Sequence, residues 1–186
     1  MIDPSHYLLW ITSRAAGTTA MVLASASVCV GLTVGGKLIK AGGPDRRYLH
    51  QMLSLGVLVA LAVHGLALLG DSYLHPTVLD LALPFRLWYR TLPTSVGIIA
   101  GWALAILGLT YYLRRWIGFQ RWKKIHRLAA LAWIGGLVHS FTAGTDAGQA
   151  WFIALIVVTA APAFVLLAIR LISPGSRRAM TPLPQP

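Results

Sequence analysis

The sequence predicts an all-α membrane protein of five transmembrane helices, with the N-terminus outside and the C-terminus cytoplasmic. Three observations carry that reading. Of 186 residues, 56% are hydrophobic and 11% are charged, whereas an ordinary soluble domain is roughly 25% charged. Mean hydropathy is +0.68. The apolar residues gather in long runs, and the basic residues cluster at the ends of alternate runs.

A run of about 20 apolar residues crosses the hydrocarbon core as a helix. It must be helical because lipid offers no partner to free backbone amides and carbonyls. Five such runs are present, at Leu8–Val34, Tyr48–Leu69, Thr94–Leu113, Trp122–Phe141 and Gln149–Ile172. The segment MIDPSHYLLW has no basic stretch, and no small-residue cleavage site follows a short apolar core, so the first run reads as a retained span rather than a signal peptide. The loop DSYLHPTVLDLALPFRLWYRTLP mixes apolar and aromatic residues with Asp80 and Arg86, which suits a segment lying flat in the interface.

Charge placement sets the orientation. The loop GGKLIKAGGPDRR carries Lys37, Lys40, Arg46 and Arg47 against Asp45. The loop RRWIGFQRWKK carries Arg114, Arg115, Arg121, Lys123 and Lys124 with no acid. Arg170, Arg177 and Arg178 extend the same side, while Asp3, Asp71, Asp80 and Asp146 fall on the other, with Arg86 and Arg90. Short basic loops stay in the cytoplasm. This placement also accounts for the formal charge of +11 without nucleic acid as a partner; the lipid bilayer is the partner expected. Residues 1–174 read as one membrane domain and 175–186 as a flexible Pro-rich cytoplasmic tail. A multi-pass protein of a bacterial cytoplasmic membrane is the expected location. The single Cys29 lies in an apolar run and reads as a packing residue.

Against this apolar background stand four histidines. His50 and His64 end the stretch HQMLSLGVLVALAVH, and His126 and His139 end HRLAALAWIGGLVH. Ionisable residues inside a membrane are costly and usually functional. The second and fourth spans run parallel, so His50 faces His126 near the basic side, and His64 faces His139 about 21 Å further along the helix at 1.5 Å per residue. Two neutral imidazoles at one depth can share a metal such as haem iron, zinc or copper. A structural zinc wants four ligands, and no Cys, Asp or Glu stands beside either pair. Haem needs only two axial donors and fills apolar space with its ring, so two stacked b haems, each held by two histidines, are the economical reading.

Helix geometry supports the first histidine pair more simply than the second. At about 100° per residue, the 14-step separation of His50 and His64 leaves them about 40° apart, whereas 13 steps leave His126 and His139 about 140° apart. Gly135 and Gly136 lie between the second two and are the expected place for a kink or tightened turn.

Other residues are weighed against these. Arg14, at the outer end of the first span, suits interfacial snorkelling or a carboxylate partner for the outer haem. Arg127, beside His126, is the best candidate for the same role at the inner haem, ahead of Arg46, Arg47, Lys123 and Lys124. Trp102, Trp133 and Met52 read as packing residues first, with a haem edge the lesser alternative. His6 and His75 read as surface residues, with His75 the reserve ligand for the outer level. Asp146, between Gly144 and Gly148, reads as a loop-shaping residue.

The histidine spacing resembles that of the ferric reductase-like transmembrane domain, a family that includes ferric reductases, NADPH oxidases and the haem subunit of the bacterial methionine sulfoxide reductase system. SRAAGTTAMVLASASVCVGL, LALPF, RRWIGFQRWKKIHRLA and HSFTAGTDAG extend the resemblance over nearly the whole chain. It implies two b haems, on His50 with His126 and on His64 with His139, carrying electrons across the bilayer. Ferric reductases and NADPH oxidases continue into flavin and nucleotide domains; here only a Pro-rich tail follows the last span. The expected protein is therefore an electron-transfer subunit served by a separate flavoprotein, a quinol or another redox protein. The competing readings are an accessory subunit of a larger membrane complex, and a small transporter that relays protons through its histidines.

Overall fold

The computed structural model describes residues 5–36 and 43–172. The expected tail at 175–186, the cations Lys37, Lys40, Arg177 and Arg178, Asp3 and the side chain of His6 lie outside the described residues. The described residues form seven helices and no strand: α1 (Ser5–Gly36), α2 (Gly43–Leu68), α3 (Val78–Ala82), α4 (Thr91–Ile117), α5 (Phe119–His126), α6 (Ala129–Thr142) and α7 (Ala150–Ile172).

Four segments are long and apolar enough to cross a membrane: Tyr7–Val34, Pro44–Leu68, Thr91–Ile117 and Ala150–Ile172. They correspond to the first, second, third and fifth expected spans. The fourth expected span, Trp122–Phe141, is not one continuous helix; it is divided into α5 and α6. Gly118, at φ +88°, ends α4 and starts α5, a left-handed conformation that glycine adopts without steric cost. Within the turn that follows, the N–H groups of Leu128, Ala130 and Leu131 donate to Ile125, Arg127 and Leu128 at 2.9, 3.2 and 3.0 Å. These are three-residue steps, the tighter 3₁₀ geometry. The 14 residues of α6 rise about 21 Å, short of the roughly 30 Å hydrocarbon core.

The glycine pair does something other than kink the helix. A Cβ on Gly135 would stand 3.2 Å from the Ala100 Cβ, and one on Gly136 would stand 3.1 Å from the Met21 Sδ. Both glycines let α6 approach its neighbours, α4 on one side and α1 on the other. The irregularity between His126 and His139 sits eight residues earlier than Gly135, at Arg127.

Packing follows the membrane pattern. Leu66, Leu92, Val158 and Ile172 are exposed while Ala20, Ala24, Ser25, Ala60, Ala160 and Ala163 are buried. Small residues let helix backbones approach where no water drives apolar faces together. α1 is central, packing along α2, α7 and α6, while α4 pairs with α6. α2 and α4 meet only slightly, so the bundle is two helix pairs with an opening between them. Trp133 closes the core: it is fully buried, and its Nε1 donates to Ser25 Oγ at 3.0 Å. It is thus a core residue. Trp102 donates to Ala82 O at 2.8 Å, tying α4 to α3, and Met52 is exposed.

The loop before α4 is built by local polar contacts. Thr77 and Asp80 cap α3 reciprocally, a standard way of satisfying the first amides of a helix. The Thr77 hydroxyl, then the Thr77 N–H and Arg86, hold the Asp80 carboxyl below its ordinary range. His75, Phe85 and Arg90 have φ of 42°, 67° and 39°, a region costly for residues with a Cβ. Tyr73, Phe85 and Trp88 are exposed, as interfacial aromatics would be.

A long-range ion pair fastens α1 to the segment between α6 and α7. Arg14 forks onto both carboxylate oxygens of Asp146, with Nε to Oδ2 at 2.9 Å. Arg14 also stacks on Trp10, 4.2 Å from the ring centre. Hydrogen bonds to charged groups contribute about 1.5–3 kcal/mol, and the guanidinium is about a third exposed, which screens part of this. Asp146→Asn should therefore destabilise the purified protein by about 1–2 kcal/mol, read as a lower unfolding temperature in detergent. Arg14→Lys should not match the wild type, because an ammonium cannot reproduce the fork; an unchanged midpoint in both variants would show that the pair is not a fastening.

Candidate functional site

Each of the four membrane histidines turns its Nδ1 to a backbone carbonyl, and His50 and His126 line the opening between the helix pairs. His64 Nδ1 lies 2.8 Å from the carbonyl of Ser13, and His50 Nδ1 lies 2.9 Å from that of Ser27. His139 Nδ1 lies 2.9 Å from Pro93 O, and His126 Nδ1 lies 3.4 Å from Leu107 O. A carbonyl oxygen only accepts, so each Nδ1 carries the proton. In a neutral imidazole the Nε2 lone pair is then available, which is the tautomer a metal-binding histidine uses when its other nitrogen donates to a backbone carbonyl. None of the four Nε2 atoms has a hydrogen-bond partner among the described residues.

Three of the rings sit against a helical glycine four residues after the accepting carbonyl. A Cβ on Gly17 would lie 3.0 Å from His64 Nδ1, and one on Gly31 would lie 3.0 Å from His50 Cε1. One on Gly97 would overlap three atoms of the His139 ring. Glycine is needed at these positions because the imidazole occupies the volume of a side chain. The fourth seat differs: four residues after Leu107 stands Tyr111.

Serines complete two of the seats. Ser13 Oγ is 2.9 Å from His64 Nδ1 and donates to His64 O at 3.1 Å. Ser27 Oγ is 3.1 Å from His50 Nδ1 and 2.9 Å from Ser54 Oγ, and Ser54 in turn donates to His50 O at 2.8 Å. The sequence held a signal for this. Ser13-x3-Gly17 and Ser27-x3-Gly31 are 14 residues apart on α1, the same step that separates His50 and His64 on α2. Antiparallel helices in register must bring the two sets together.

Two of the four rings meet directly. The His50 and His126 ring centres are 6.0 Å apart, with their planes at 85°. A metal held about 2 Å from each of two opposed ring nitrogens puts the ring centres about 6 Å apart. His64 and His139 lie within electrostatic range of each other. The cavity beside the first pair is lined by Ala24, Val28, Val57, Leu58 and Leu104 as well as the two rings. Among the described residues, no three or more His, Cys, Asp or Glu side chains are grouped to hold a bare ion. Two imidazoles in an apolar slot instead suit a group that supplies its own equatorial donors and asks for two axial ones.

The break after His126 changes the phase of the fourth segment. Along a straight helix His126 and His139 would differ by about 140°, and each 3₁₀ step adds about 20° to the turn, so three such steps close about 60° of that gap. Among the cations, Arg127 follows His126 in the turn and is exposed, whereas Arg14 is committed to Asp146. His75 is exposed on the loop before α3. Two further contacts brace the far end of α6. Arg90 Nη1 donates to Thr142 O at 2.6 Å, and Tyr89 Oη reaches Ala143 O at 3.5 Å.

Four helices long and apolar enough to cross a membrane define a multi-pass membrane protein. The family described as ferric reductase like transmembrane component matches residues 16–137, about two-thirds of the chain. The chain belongs to that family, whose domains generally bind haem and transfer electrons across membranes. No curated protein and no solved structure matches. The matched region includes His50, His64, His126 and the three seating glycines, and ends two residues before His139.

The glycine seats make a graded prediction. Gly97→Ala should be the most destabilising, because the His139 ring must move; overpacking of this kind costs about 1–3 kcal/mol. Gly17→Ala and Gly31→Ala should cost less. Gly101→Ala, with open space around its added Cβ, should be neutral or stabilising by up to about 1 kcal/mol, since alanine favours helix. Unfolding temperatures in detergent check the order, and equal effects at Gly97 and Gly101 would contradict the seating.

Proposed function

We propose that this protein carries electrons across a bacterial cytoplasmic membrane through two b haems. His50 and His126 hold one near the cytoplasmic face, and His64 and His139 hold the other near the outer face. The observation that carries the proposal is that every one of the four histidines donates Nδ1–H to a neighbouring carbonyl and keeps Nε2 for a ligand. Family membership supports it independently. Bound haem would supply a one-electron iron couple, which no side chain at this site offers.

The chain's own contribution is binding, orientation and insulation. The Nδ1–H bonds fix the ring planes and raise the electron-donating power of Nε2. Ala24, Val57 and Leu104 keep the slot beside the cytoplasmic pair apolar, which favours an uncharged, water-poor setting for electron exchange. Arg127, next to His126 in the chain, would pair with a carboxylate of the bound group. Arg14, turned onto Asp146, supports the outer level by fixing the loop that follows His139.

In this reading α5 and α6 together make a fifth crossing, completed by the turn at Arg127. The N-terminus lies outside, and the basic segments around Arg46, Arg114 and Lys123 lie in the cytoplasm. Residues 1–174 are the haem-binding domain and 175–186 its tail. A separate flavoprotein, a quinol or another redox protein supplies or receives the electrons, within a larger membrane complex where one is formed.

Purified protein from haem-supplied cells should contain two haems per chain. His50→Ala and His126→Ala should each remove the same haem, with the same loss in the reduced spectrum, while His64→Ala and His139→Ala remove the other. A ratio near zero in the wild type would overturn the proposal. Spectroscopically different losses from His50→Ala and His126→Ala would overturn the pairing.

A further inference from the structure

We infer that Trp122 is a positioning residue for His126, replacing by ring stacking the seat that glycine and a short hydrogen bond give the other three histidines. The inference rests on the two-haem reading and concerns a residue to which that reading gives no part.

The fourth histidine differs from the other three in its hydrogen-bond length, its seat and its place in the helix. Its Nδ1 contact is 3.4 Å, against 2.8 to 2.9 Å for the other three. No glycine cradles it among the described residues, and Tyr111 occupies the corresponding position. It is the last residue of α5 and is followed at once by the tight turn that leads into α6. A ligand at a helix end, with a long hydrogen bond, has the least intrinsic hold on its orientation.

Trp122 supplies what is missing. Its ring lies 5.0 Å from the His126 ring at an interplanar angle of 23°, a stacked contact. The two residues are four apart on α5, the spacing that places side chains one above the other. Trp122 is itself bracketed by Tyr111 at 6.0 Å and Phe119 at 5.9 Å. Tyr111 in turn carries the Arg114 guanidinium 3.8 Å from its ring centre. The residue standing in place of the glycine therefore supports the stack rather than the imidazole directly. The Trp122 Nε1 is buried with no hydrogen-bond partner among the described residues, so no hydrogen bond seen there sets the indole plane. Ring contacts set it, and a flat face is the property the site uses.

A stack on one side of an imidazole restricts its rotation about the Cβ–Cγ bond and keeps Nε2 directed at the slot. Without it, the ring can turn and the iron can lose one axial ligand. Carbon monoxide reports that loss, because it binds ferrous haem only where an axial position opens. The test uses full-length wild type, Trp122→Phe and Trp122→Leu, purified with haem. Phenylalanine keeps a flat face, and leucine fills space without one. Wild type and Trp122→Phe should hold two haems and leave both unchanged by carbon monoxide. Trp122→Leu should bind it at one haem in two, with the outer haem's spectrum intact as the internal check on folding. A Trp122→Leu protein with two haems indifferent to carbon monoxide would overturn the inference, as would Trp122→Phe and Trp122→Leu losing the inner ligand equally. A wild type without haem would overturn the two-haem reading instead, a separate outcome.

Discussion

The hydrogen bond from each histidine Nδ1 to a backbone carbonyl on the neighbouring helix is the constraint on which the rest of the structure depends. It uses a carbonyl already engaged in its own helix, so the imidazole must approach the backbone closely. Close approach demands a missing side chain one turn on, and Gly17, Gly31 and Gly97 provide it. The bond also decides the tautomer. A neutral ring that donates from Nδ1 must present Nε2 as a lone pair, and two such rings, His50 and His126, line the opening that α2 and α4 leave between them. Helix pairing, the placement of three glycines and the tautomer of the rings are thus consequences of one kind of contact.

The same constraint explains why the bundle is asymmetric. α1 and α2 are in a 14-residue register on both sides, Ser13 with His64 and Ser27 with His50. On the other pair, α4 keeps a 14-residue step from Pro93 to Leu107, but the histidines are 13 apart. One residue is lost, and a straight helix cannot absorb it. The tight turn at Arg127 and Leu128 absorbs it and ends α5 on His126. A shorter α6, a longer hydrogen bond at His126 and a stacked Trp122 all follow from that mismatch.

Much of this was legible in the sequence, and the illegible parts have physical reasons. Four long apolar segments could be read from hydropathy, and the four histidines stood out within the apolar text. The break before Ala129 could not, because IHRLAALAWIGG contains no proline and its glycines are used elsewhere, Gly135 against Ala100 and Gly136 against Met21. Gly118 did mark the start of α5, but a glycine among RRWIGFQRWKK reads as an ordinary loop residue. Pro93 and Leu107 were invisible as site residues because they act through their carbonyls, which every residue has. Ser13 and Ser27, by contrast, were readable, since each precedes a glycine by four and the two motifs repeat at the histidine step. The Arg14–Asp146 pair joins residues 132 apart, and one sequence gives no sign of such a partner.

The central claim, conduction from one face of a membrane to the other through two levels of histidine, is tested most directly in sealed vesicles. The protein is reconstituted, and vesicles with the basic face outward are identified. A membrane-impermeant reductant is supplied outside, and an impermeant oxidant is trapped inside. The account predicts that wild type bleaches the trapped oxidant. It predicts that His64→Ala still accepts electrons at the basic face, seen as reduction of one haem, but leaves the oxidant coloured. Undiminished bleaching by His64→Ala, with the outer haem shown to be missing, would contradict the account.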